Sequence, residues 1–472
     1  MQQKLPDIHT HFSEWYLEVI RLAELADQAP VRGCMVIRPY GYAIWELMQK
    51  ELDGKIKETG HMNAAFPLFI PMSFLQKEAE HVAGFSPELA VVTHAGGKEL
   101  EEPLVVRPTS ETIIHYMYAQ WLKSWRDLPI KINQWCSVVR WEMRTRPFLR
   151  TTEFWWQEGH TAHETREEAL EEVLTMLKVY TDLAQKFLCI PVVPGQKSEH
   201  ERFAGADKTY TIEGLMQDGK ALQMGTSHMI SQNFAKSFGM MFQDRNGQQA
   251  YPYLTSWGVT TRLVGALIMT HGDNKGLVLP PSVAPYQIVI IPILKADSKD
   301  RVLAAVHELA NKLKKSFRVI IDTDDSETPG AKFYKWELKG VPVRIEIGPR
   351  DLDQHKVMIA DRLGLKKEAV LVDGIEQHLE QYMQLLQTTL LERATQKRNA
   401  LWFKVAKLEE FAQQMEDKGG FYQTGWCRRP ECEAKLKEHK ATIRCVLEDK
   451  QFDMCFNCNR ESSSDILIAK AY

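Results

Sequence analysis

The spacing of apolar residues divides the first 280 positions into helical and extended stretches. Apolar residues that recur every three or four positions predict a helix, and strict alternation predicts a strand. Helical spacing is found over residues 13–29, 41–59, 113–121, 165–189 and 263–270. Extended patterns are found over residues 63–71, 137–139, 153–156, 203–212 and 220–225. Thr165 followed by Glu168 has the spacing of a capping box, which marks the start of the helix at 165–189.

The pattern changes after a proline-rich stretch at residues 277–285, which predicts a linker. Beyond it, strands and helices alternate, which indicates a mixed α/β domain. Residues 377–417 then predict one or two helices that lead to a cysteine-containing final segment. We therefore expect three domains, over residues 1–280, 285–385 and 400–472.

Composition excludes several classes of protein. The 472 residues are 44% hydrophobic and 26% charged, as in ordinary globular proteins. No run reaches the roughly 18 apolar residues of a membrane span, and residues 1–16 lack the apolar core of a signal peptide. Eight cysteines in so long a chain do not indicate a disulfide scaffold, so we expect a reducing cytoplasm. The net charge of −3 means that a nucleic-acid partner would have to bind local basic patches.

Two cysteine pairs near the end of the chain have the spacing of metal ligands. Cys427 and Cys432 are separated by four residues, and Cys455 and Cys458 by two. Four thiolates brought together form a closed tetrahedral zinc site, which is structural rather than catalytic. Cys445 and His439 lie between the pairs and remain alternative ligands.

The stretch from Arg140 to His160 carries the densest candidate chemistry. An apolar run ends at Arg140 and Glu142, a loop with three more arginines follows, and Phe154 begins a second extended stretch. This order predicts a long hairpin. Guanidinium groups bind phosphate and carboxylate oxygens bidentately, so the site suits a triphosphate. The alternative is an exposed, charged hairpin without a ligand.

Four segments together resemble a known family. The order Arg-x-Glu, loop, Arg-x-x-x-Phe, with Arg140, Glu142, Arg150 and Phe154 in those places, resembles motif 2 of the class II aminoacyl-tRNA synthetases. The segments RPTSET at 107–112, TSH at 226–228 and SWGVTTR at 256–262 are similar to those of prolyl-tRNA synthetases of the archaeal and eukaryotic type. Arg262 takes the place of the motif 3 arginine. The helix at 41–59 with Pro67-Leu68-Phe69 resembles motif 1, which builds the dimer interface in that class.

This resemblance implies an α+β fold. Residues 1–280 would form the class II antiparallel-sheet catalytic domain, 285–385 an α/β anticodon-binding domain, and 400–472 a small zinc-containing α/β domain. The implied reaction joins L-proline to ATP, with Mg²⁺, to give prolyl-adenylate, and then transfers proline to tRNA(Pro). The implied partners are tRNA(Pro), L-proline and a second copy of the chain in a homodimer, with no membrane.

The resemblance also implies roles for individual residues. It makes Arg140, Glu142 and Arg262 catalytic. It assigns proline binding to Thr109, Glu111, Arg140, Trp156, Glu158, His160, Thr226 and His228. It assigns ATP binding to Arg140, Glu142, Arg150, Thr151, Phe154, Gln223, Thr226 and Arg262. From its spacing alone, the segment at 109–112 is equally a capping box at the start of a helix.

Two other functions fit parts of the pattern. A synthetase-like accessory protein that binds tRNA without aminoacylation would keep the fold, but Arg140, Glu142 and Arg262 are all present. A threonine enzyme of the same class would need a catalytic metal site with Cys and His ligands, and residues 100–275 contain no such set. The interval between Phe154 and Trp257 is filled by one helix and the strands leading to His228, which leaves no room for the editing domain of bacterial-type enzymes.

Overall fold

Strands from residues 62–260 and from residues 402–469 form one large sheet. The computed structural model describes residues 4–75 and 89–472. The helices in these ranges are α1 (Phe12–Leu22), α2 (Pro39–Glu58), α3 (Glu111–Trp121), α4 (Arg166–Asp182), α5 (Asn233–Ser237), α6 (Arg262–His271), α7 (Lys299–Leu313), α8 (Pro329–Leu338), α9 (Pro349–Asp353), α10 (Ile375–Ala400), α11 (Leu408–Asp417) and α12 (Pro430–Ala434).

The strands in these ranges are β1 (Ala26–Gln28), β2 (Met35–Ile37), β3 (Met62–Asn63), β4 (Phe69–Pro71), β5 (Ala90–Ala95), β6 (Lys98–Val106), β7 (Ile130–Val139), β8 (Glu153–His163), β9 (Val192–Gln196), β10 (Lys208–Leu215), β11 (Ala221–Ser231), β12 (Phe242–Gln243), β13 (Gln249–Ala250), β14 (Tyr253–Thr260), β15 (Ile288–Pro292), β16 (Val319–Ile321), β17 (Val343–Ile347), β18 (Lys356–Asp361), β19 (Lys367–Leu371), β20 (Trp402–Lys404), β21 (Phe421–Trp426), β22 (Thr442–Val446) and β23 (Ser464–Ala469). No helix in the described ranges is long and apolar enough to cross a bilayer.

The main sheet has the order β20-β21-β23-β22-β9-β10-β11-β14-β8-β7-β3. All its central pairs are antiparallel, and only the outermost pairs β20–β21 and β7–β3 are parallel. A second sheet, β16-β15-β17-β18-β19, is parallel around β15 and antiparallel beyond β17. The α+β fold class is confirmed, and the strand–helix alternation after residue 286 corresponds to the second sheet.

Tertiary contacts move several element boundaries away from the predicted ones. The predicted helix at 13–29 ends at Leu22, because Glu24 has a left-handed φ of 59° and β1 then pairs with β2. The predicted strand at 63–71 is divided into β3 and β4. Between them the Arg107 guanidinium donates to the carbonyls of Phe66 at 2.6 Å and Pro67 at 3.3 Å, which replaces strand pairing.

Local capping follows the prediction at one helix and departs from it at another. Thr165 and Glu168 form the expected capping box at α4, and a π-helical turn at Leu183–Phe187 extends that helix. At α3 the N-cap residue is Ser110, and its side chain makes no capping bond. The Ser110 hydroxyl instead accepts from the Gln134 amide at 3.1 Å. The interpretation of residues 109–112 as a capping box is therefore wrong.

The proline-rich stretch at 277–285 is packed rather than extended through solvent. Leu277, Leu279 and Val283 are all buried, and the Leu277 amide donates to the Leu338 carbonyl at 2.9 Å. The connection between the two sheets is therefore a fixed part of the core. Further along, α10 and α11 account for the predicted helices at 377–417.

Candidate active site

A cavity of about 340 Å³ opens over the face of the main sheet formed by β8, β11 and β14. Successive residues of a strand point to opposite faces, so Phe154, Trp156, Glu158 and His160 of β8 share one face. The register places Glu158 opposite Gly258 and His160 opposite Ser256, and it places Gly258 opposite Thr226 of β11. Alternation on three paired strands thus brings the polar residues of distant segments together.

Fourteen residues were predicted to bind proline or ATP, and all of them line this cavity. They are Thr109, Glu111, Arg140, Glu142, Arg150, Thr151, Phe154, Trp156, Glu158, His160, Gln223, Thr226, His228 and Arg262.

Positive charge is concentrated at one end of the cavity. Arg262 is the first residue of α6, and its guanidinium donates to the carbonyls of Leu149 at 3.1 Å and Gln223 at 3.3 Å. Burial, with repulsion from Arg150 and Arg140, lowers the pKa of Arg262 to about 10, so the group is still charged at neutral pH. Arg150 is exposed and lies 3.8 Å from Glu142. The guanidinium groups of Arg262 and Arg150, with that of Arg140 nearby, suit a polyanion.

Arg140 lies at the junction between this positive end and a negative one. Its Nε donates to the Pro108 carbonyl at 3.0 Å, and its guanidinium lies 5.5 Å from the Phe154 ring and 5.6 Å from the Trp156 ring. Burial lowers the pKa of Arg140, and this effect is opposed by the negative charges of Glu111, Glu158 and Glu142. The side chain is therefore fixed within electrostatic range of the buried carboxylates.

The negative end is built from buried carboxylates and two histidines. The Thr109 hydroxyl donates to Glu111, and His160 Nε2 lies 3.0 Å from Glu158. Ligand atoms of Glu111, Glu158 and His160 all lie within 4.8 Å of one another. Burial opposes charge on both His160 and Glu158, but their mutual contact lowers the pKa of Glu158 and, together with Glu111, raises that of His160. Such an end suits a small ammonium group.

His228 lies in the same row of the sheet as His160 and is held in its neutral form. Its Nδ1 lies 3.0 Å from the Thr209 hydroxyl, which accepts from the Phe203 amide at 2.9 Å. Burial, together with the charge of His160, lowers the pKa of His228 to about 3. The ring is therefore a neutral hydrogen-bonding surface at physiological pH.

Two glycines of the main sheet are required by packing. A Cβ on Gly159 would lie 2.0 Å from the Trp257 ring, so only glycine fits beneath that side chain. At Gly225 a Cβ would lie 2.9 Å from the Val259 side chain, so the small residue there accommodates the core.

The four cysteines predicted to bind metal form a separate cluster. Cys427 Sγ lies 3.7 Å from Cys432 Sγ and 3.6 Å from Cys458 Sγ, and the sulfurs of all four, including Cys455, lie within 4.8 Å of one another. Zinc–sulfur bonds of about 2.3 Å in a tetrahedron place sulfurs roughly 3.8 Å apart, so the group fits zinc. None of the eight cysteines forms a disulfide.

The alternative ligands lie elsewhere in the described structure. Cys445 is fully buried in β22 against Gly195, and the His439 ring packs edge-on against Phe411 at 5.9 Å. Neither belongs to the cysteine cluster, so the alternative ligand set is wrong.

Comparison with known proteins identifies the family. Residues 92–271 match the model of the tRNA synthetase class II core domain (G, H, P, S and T), residues 287–382 the anticodon binding domain, and residues 408–472 the prolyl-tRNA synthetase C-terminal domain. The chain is 52% identical to proline--tRNA ligase 2 of Clostridioides difficile strain 630, over 100% of this chain and 98% of that protein. It is 53% identical to the proline--tRNA ligase of Chloroherpeton thalassium, over the full length of both. The chain belongs to the prolyl-tRNA synthetase family.

Solved structures of the family have the same fold throughout. Prolyl-tRNA synthetase from Cryptosporidium parvum complexed with halofuginone and AMPPNP superimposes with a TM-score of 0.94 at 40% identity, covering 99% of both chains. The same protein complexed with L-proline and AMP gives a TM-score of 0.92 at 39% identity, again over 99% of both.

Some residues that line the cavity were not predicted. Glu201 and Phe203 reach the cavity from irregular turns that precede β10, where the sequence had predicted a strand from residue 203. Thr209 and Ser256 line it through cross-strand pairing with His228. Periodicity carries no signal for an irregular segment, whereas the partners of His228 follow once the register is known.

Proposed function

We propose that this protein attaches L-proline to tRNA(Pro) in two ATP-dependent steps, through prolyl-adenylate. The observation that carries the proposal is the cavity itself, which has Arg150 and Arg262 at one end, two buried carboxylates at the other, and Arg140 between them. The positive end suits the triphosphate of ATP, and the negative end suits the secondary ammonium group of proline. Relatives named proline--tRNA ligase, and a related structure complexed with L-proline and AMP, support the same reaction.

The first step needs no nucleophile from the protein. The proline carboxylate is ionised at neutral pH and attacks the α-phosphate of ATP, and pyrophosphate leaves. Catalysis then consists of positioning and charge stabilisation. We assign Arg140 to the proline carboxylate and the α-phosphate, because it lies between the two ends of the cavity. Arg262 would hold the γ-phosphate, and Phe154 would stack on adenine with Glu142 near its amino group. Arg150, Thr151, Gln223 and Thr226 would complete the ATP site.

Proline binding would use the negative end. When it is protonated, the ring nitrogen of proline carries two hydrogens. One carboxylate and one hydroxyl or carbonyl can accept them. We assign this contact to Glu111 and Thr109, and the ring to a pocket shaped by Trp156, Glu158, His160 and His228.

Mg²⁺ would add charge neutralisation to the phosphates when bound. The ion prefers oxygen ligands and commonly combines one or two carboxylates with substrate phosphates. Gln223 lines the cavity next to Arg262, and its side-chain amide oxygen would complete such a set with the phosphates. The cysteine cluster would hold a structural zinc, in a reducing cytoplasm where thiols stay free.

The proposed domain division follows the family matches, and strands of the first and third domains share the main sheet. Residues 1–280 would be catalytic, 285–385 would bind the anticodon of tRNA(Pro), and 400–472 would be the zinc-binding domain. The second sheet, which runs from Ile288 to Leu371, supports the boundaries of the middle domain at residues 285 and 385.

We further propose a homodimer through the motif 1 region. Apolar side chains in and beside this region are exposed in the single chain: Met62 by 70%, Phe69 by 47% and, at the end of α3, Trp121 by 47%. Met62 lies on β3 at the edge of the main sheet, and a second copy would cover these residues. Sedimentation should give a dimer for the wild type and a lower mass for Phe69→Glu; a wild-type monomer at micromolar concentration would contradict the proposal.

Pyrophosphate exchange with a panel of amino acids tests the function. Exchange should require proline and ATP and should be much weaker with threonine. Aminoacylation of unfractionated tRNA should follow. Tight tRNA binding without exchange for any amino acid would instead favour the accessory, non-catalytic function.

A further inference from the structure

Two residues of β7 lie beside the cavity without lining it. Gln134 and Cys136 are both buried, and the register places them directly opposite Glu158 and Trp156 of β8. Directly opposed residues of an antiparallel pair have their side chains on the same face. Each of these two cavity residues therefore has a neighbour from β7 at its side.

The Glu158 carboxylate is saturated by protein donors. Its Oε1 accepts from Gln134 Nε2 at 2.9 Å and lies 3.5 Å from Cys136 Sγ. Its Oε2 accepts from the Ser110 amide at 3.3 Å and lies 3.0 Å from His160 Nε2. A carboxylate offers about four acceptor positions, so no capacity is left for a substrate N–H. Glu158 thus acts by its position and charge, and Glu111 is the carboxylate open to the ring nitrogen.

Cys136 also fixes the orientation of Trp156. The indole N–H donates to Cys136 Sγ at 3.2 Å. Burial and the charge of Glu158 raise the pKa of the thiol to about 12, so it keeps its proton and can donate to Glu158 while it accepts from the indole. One side chain therefore links the apolar wall of the pocket to its negative end.

Gln134 has no remaining hydrogen-bonding capacity on its amide nitrogen. Besides Glu158, its Nε2 donates to the Ser110 hydroxyl at 3.1 Å, and its Oε1 accepts from the Phe66 amide at 2.5 Å. It therefore connects β8 with the start of α3 and with the segment after β3. These three partners fix the orientation of the Gln134 side chain, and Gln134 in turn holds the Glu158 carboxylate in place.

We propose that Gln134 and Cys136 are positioning residues for proline binding: they hold the Glu158 carboxylate and the Trp156 indole in the cavity wall without touching the substrate. This inference rests on the proposed function, because it assigns the negative end to proline. It predicts that both residues affect the amino-acid site and leave the ATP site unchanged.

Steady-state pyrophosphate exchange by Gln134→Met and Cys136→Val tests the proposal. Met keeps the length of Gln, and Val has nearly the volume of Cys, but neither can make the hydrogen bonds. The KM for proline should rise roughly tenfold or more for Gln134→Met, which removes a bond to a charged group, and roughly threefold to tenfold for Cys136→Val. The KM for ATP and kcat should stay within about twofold, the pattern of lost ground-state binding.

Conservative and distant variants separate positioning from general damage. Cys136→Ser retains a group that accepts from the indole and donates to Glu158, so it should restore most of the proline affinity. Gln423 is a buried glutamine of β21 that donates to Asp465 at 2.8 Å, far from the cavity in sequence and sheet order. Gln423→Met should lower the melting temperature as much as Gln134→Met does and leave the KM for proline unchanged.

The outcomes are distinguishable from a failure of the proposed function. If the wild type exchanges with proline and both variants keep a wild-type KM for proline, the positioning role is wrong. An equal rise of both KM values, or a rise in Gln423→Met, would also overturn it. Should Gln134→Met not fold, Gln134→Glu keeps the acceptor for Phe66 and places a second charge against Glu158; its KM for proline should then rise at least as much. A wild type that does not use proline would refute the function itself.

Discussion

Arg140 is held in its working position by the protein alone. The Pro108 carbonyl fixes its Nε, and the faces of Phe154 and Trp156 confine the guanidinium on two sides. A charge that is already oriented needs no reorganisation when negative charge develops on the α-phosphate. This arrangement explains why the residue tolerates burial, which by itself disfavours the cation.

Arg140→Ala should therefore lower proline-dependent pyrophosphate exchange by about 10²–10³-fold, the cost of losing one preorganised charge donor. Arg144→Ala is the matched control, because Arg144 is an exposed arginine of the same loop. It should exchange at nearly the wild-type rate. Activity of Arg140→Ala within a few-fold of wild type would refute the assignment.

His271 is a single residue that makes the stability of the protein depend on pH in the acid range. It is buried at the end of α6, with Nε2 2.9 Å from the Leu188 carbonyl. Burial lowers its pKa to about 4, despite the Leu188 contact, which raises it. In the unfolded chain the pKa is about 6.5. Between these values the unfolded state binds the proton and the folded state does not, so stability falls as the pH decreases from about 6.5 to 4.

His271→Gln should consequently show a flatter decrease of the unfolding midpoint over this window. Loss of this one titrating group should reduce the pH dependence of the free energy of unfolding by about 1.4 kcal/mol per pH unit. Thermal unfolding at several pH values measures it, and the exposed His94→Gln should retain the wild-type slope. The same slope in His271→Gln as in the wild type would show that the buried imidazole is not the source.

Sequence motifs located the cavity residues better than they located each residue's contacts. The loop with arginines at 144, 146 and 150 was expected to suit a triphosphate, and of these three only Arg150, the one assigned to ATP, lines the cavity. Arg146 lies over the rings of Tyr16, at 4.9 Å, and Tyr472, at 5.5 Å. Those aromatic partners are distant in sequence, so only the folded chain reveals them. The same holds for Gln134 and Cys136, which resemble ordinary strand residues until the register is known.

At the scale of elements, periodicity predicted the presence of helices and strands more accurately than their ends. The ends depend on partners from elsewhere in the chain, such as the Arg107 guanidinium that divides the strand predicted at 63–71. The hairpin of β7 and β8 was correctly predicted because its alternation and its loop are both local. The cysteine spacing correctly predicted that the four thiols lie together, because the two members of each pair are close in sequence.

The cysteine cluster should hold one zinc ion per chain. Elemental analysis of protein purified without chelator should give about one equivalent for the wild type and little for Cys432→Ser. Cys189→Ser is the control, because Cys189 is another buried cysteine that contacts the Gln387 carbonyl outside the cluster. Zinc binding should also stabilise residues 408–472 against proteolysis. Wild-type protein without zinc would contradict the assignment.

At the scale of the whole molecule, the segment between motif 2 and motif 3 is made of elements already described. α4, α5 and the strands β9 to β14 contain 58 of the 95 residues from Arg166 to Thr260, and the longest stretch without a helix or strand, at 197–207, contributes Glu201 and Phe203 to the cavity wall. No separate hydrolytic domain is found in this interval, all of which the structure describes.

The enzyme should therefore form some alanyl-tRNA(Pro) and not clear it. Alanine lacks two ring carbons and loses only their packing, roughly 1–3 kcal/mol per methylene, which a pocket cannot turn into complete exclusion. Added alanyl-tRNA(Pro) should decay at the same rate with and without the enzyme, with prolyl-tRNA(Pro) as the control. Enzyme-dependent deacylation of the alanyl species alone would reveal an editing site.

The join between β9 and β22 has a consequence for the order in which the chain folds. Val446 pairs with Gln196, and Arg444 donates to the buried Glu213 at 2.9 Å. The strands near residue 200 therefore lack these partners until residues near 445 have been synthesised. During synthesis, that edge of the sheet stays open until some 250 further residues have left the ribosome, and open edges invite aggregation. We expect a chain stopped after residue 404 to accumulate in the pellet, whereas the full chain stays in the supernatant. Equal recovery of both would show that the early strands protect their own edge.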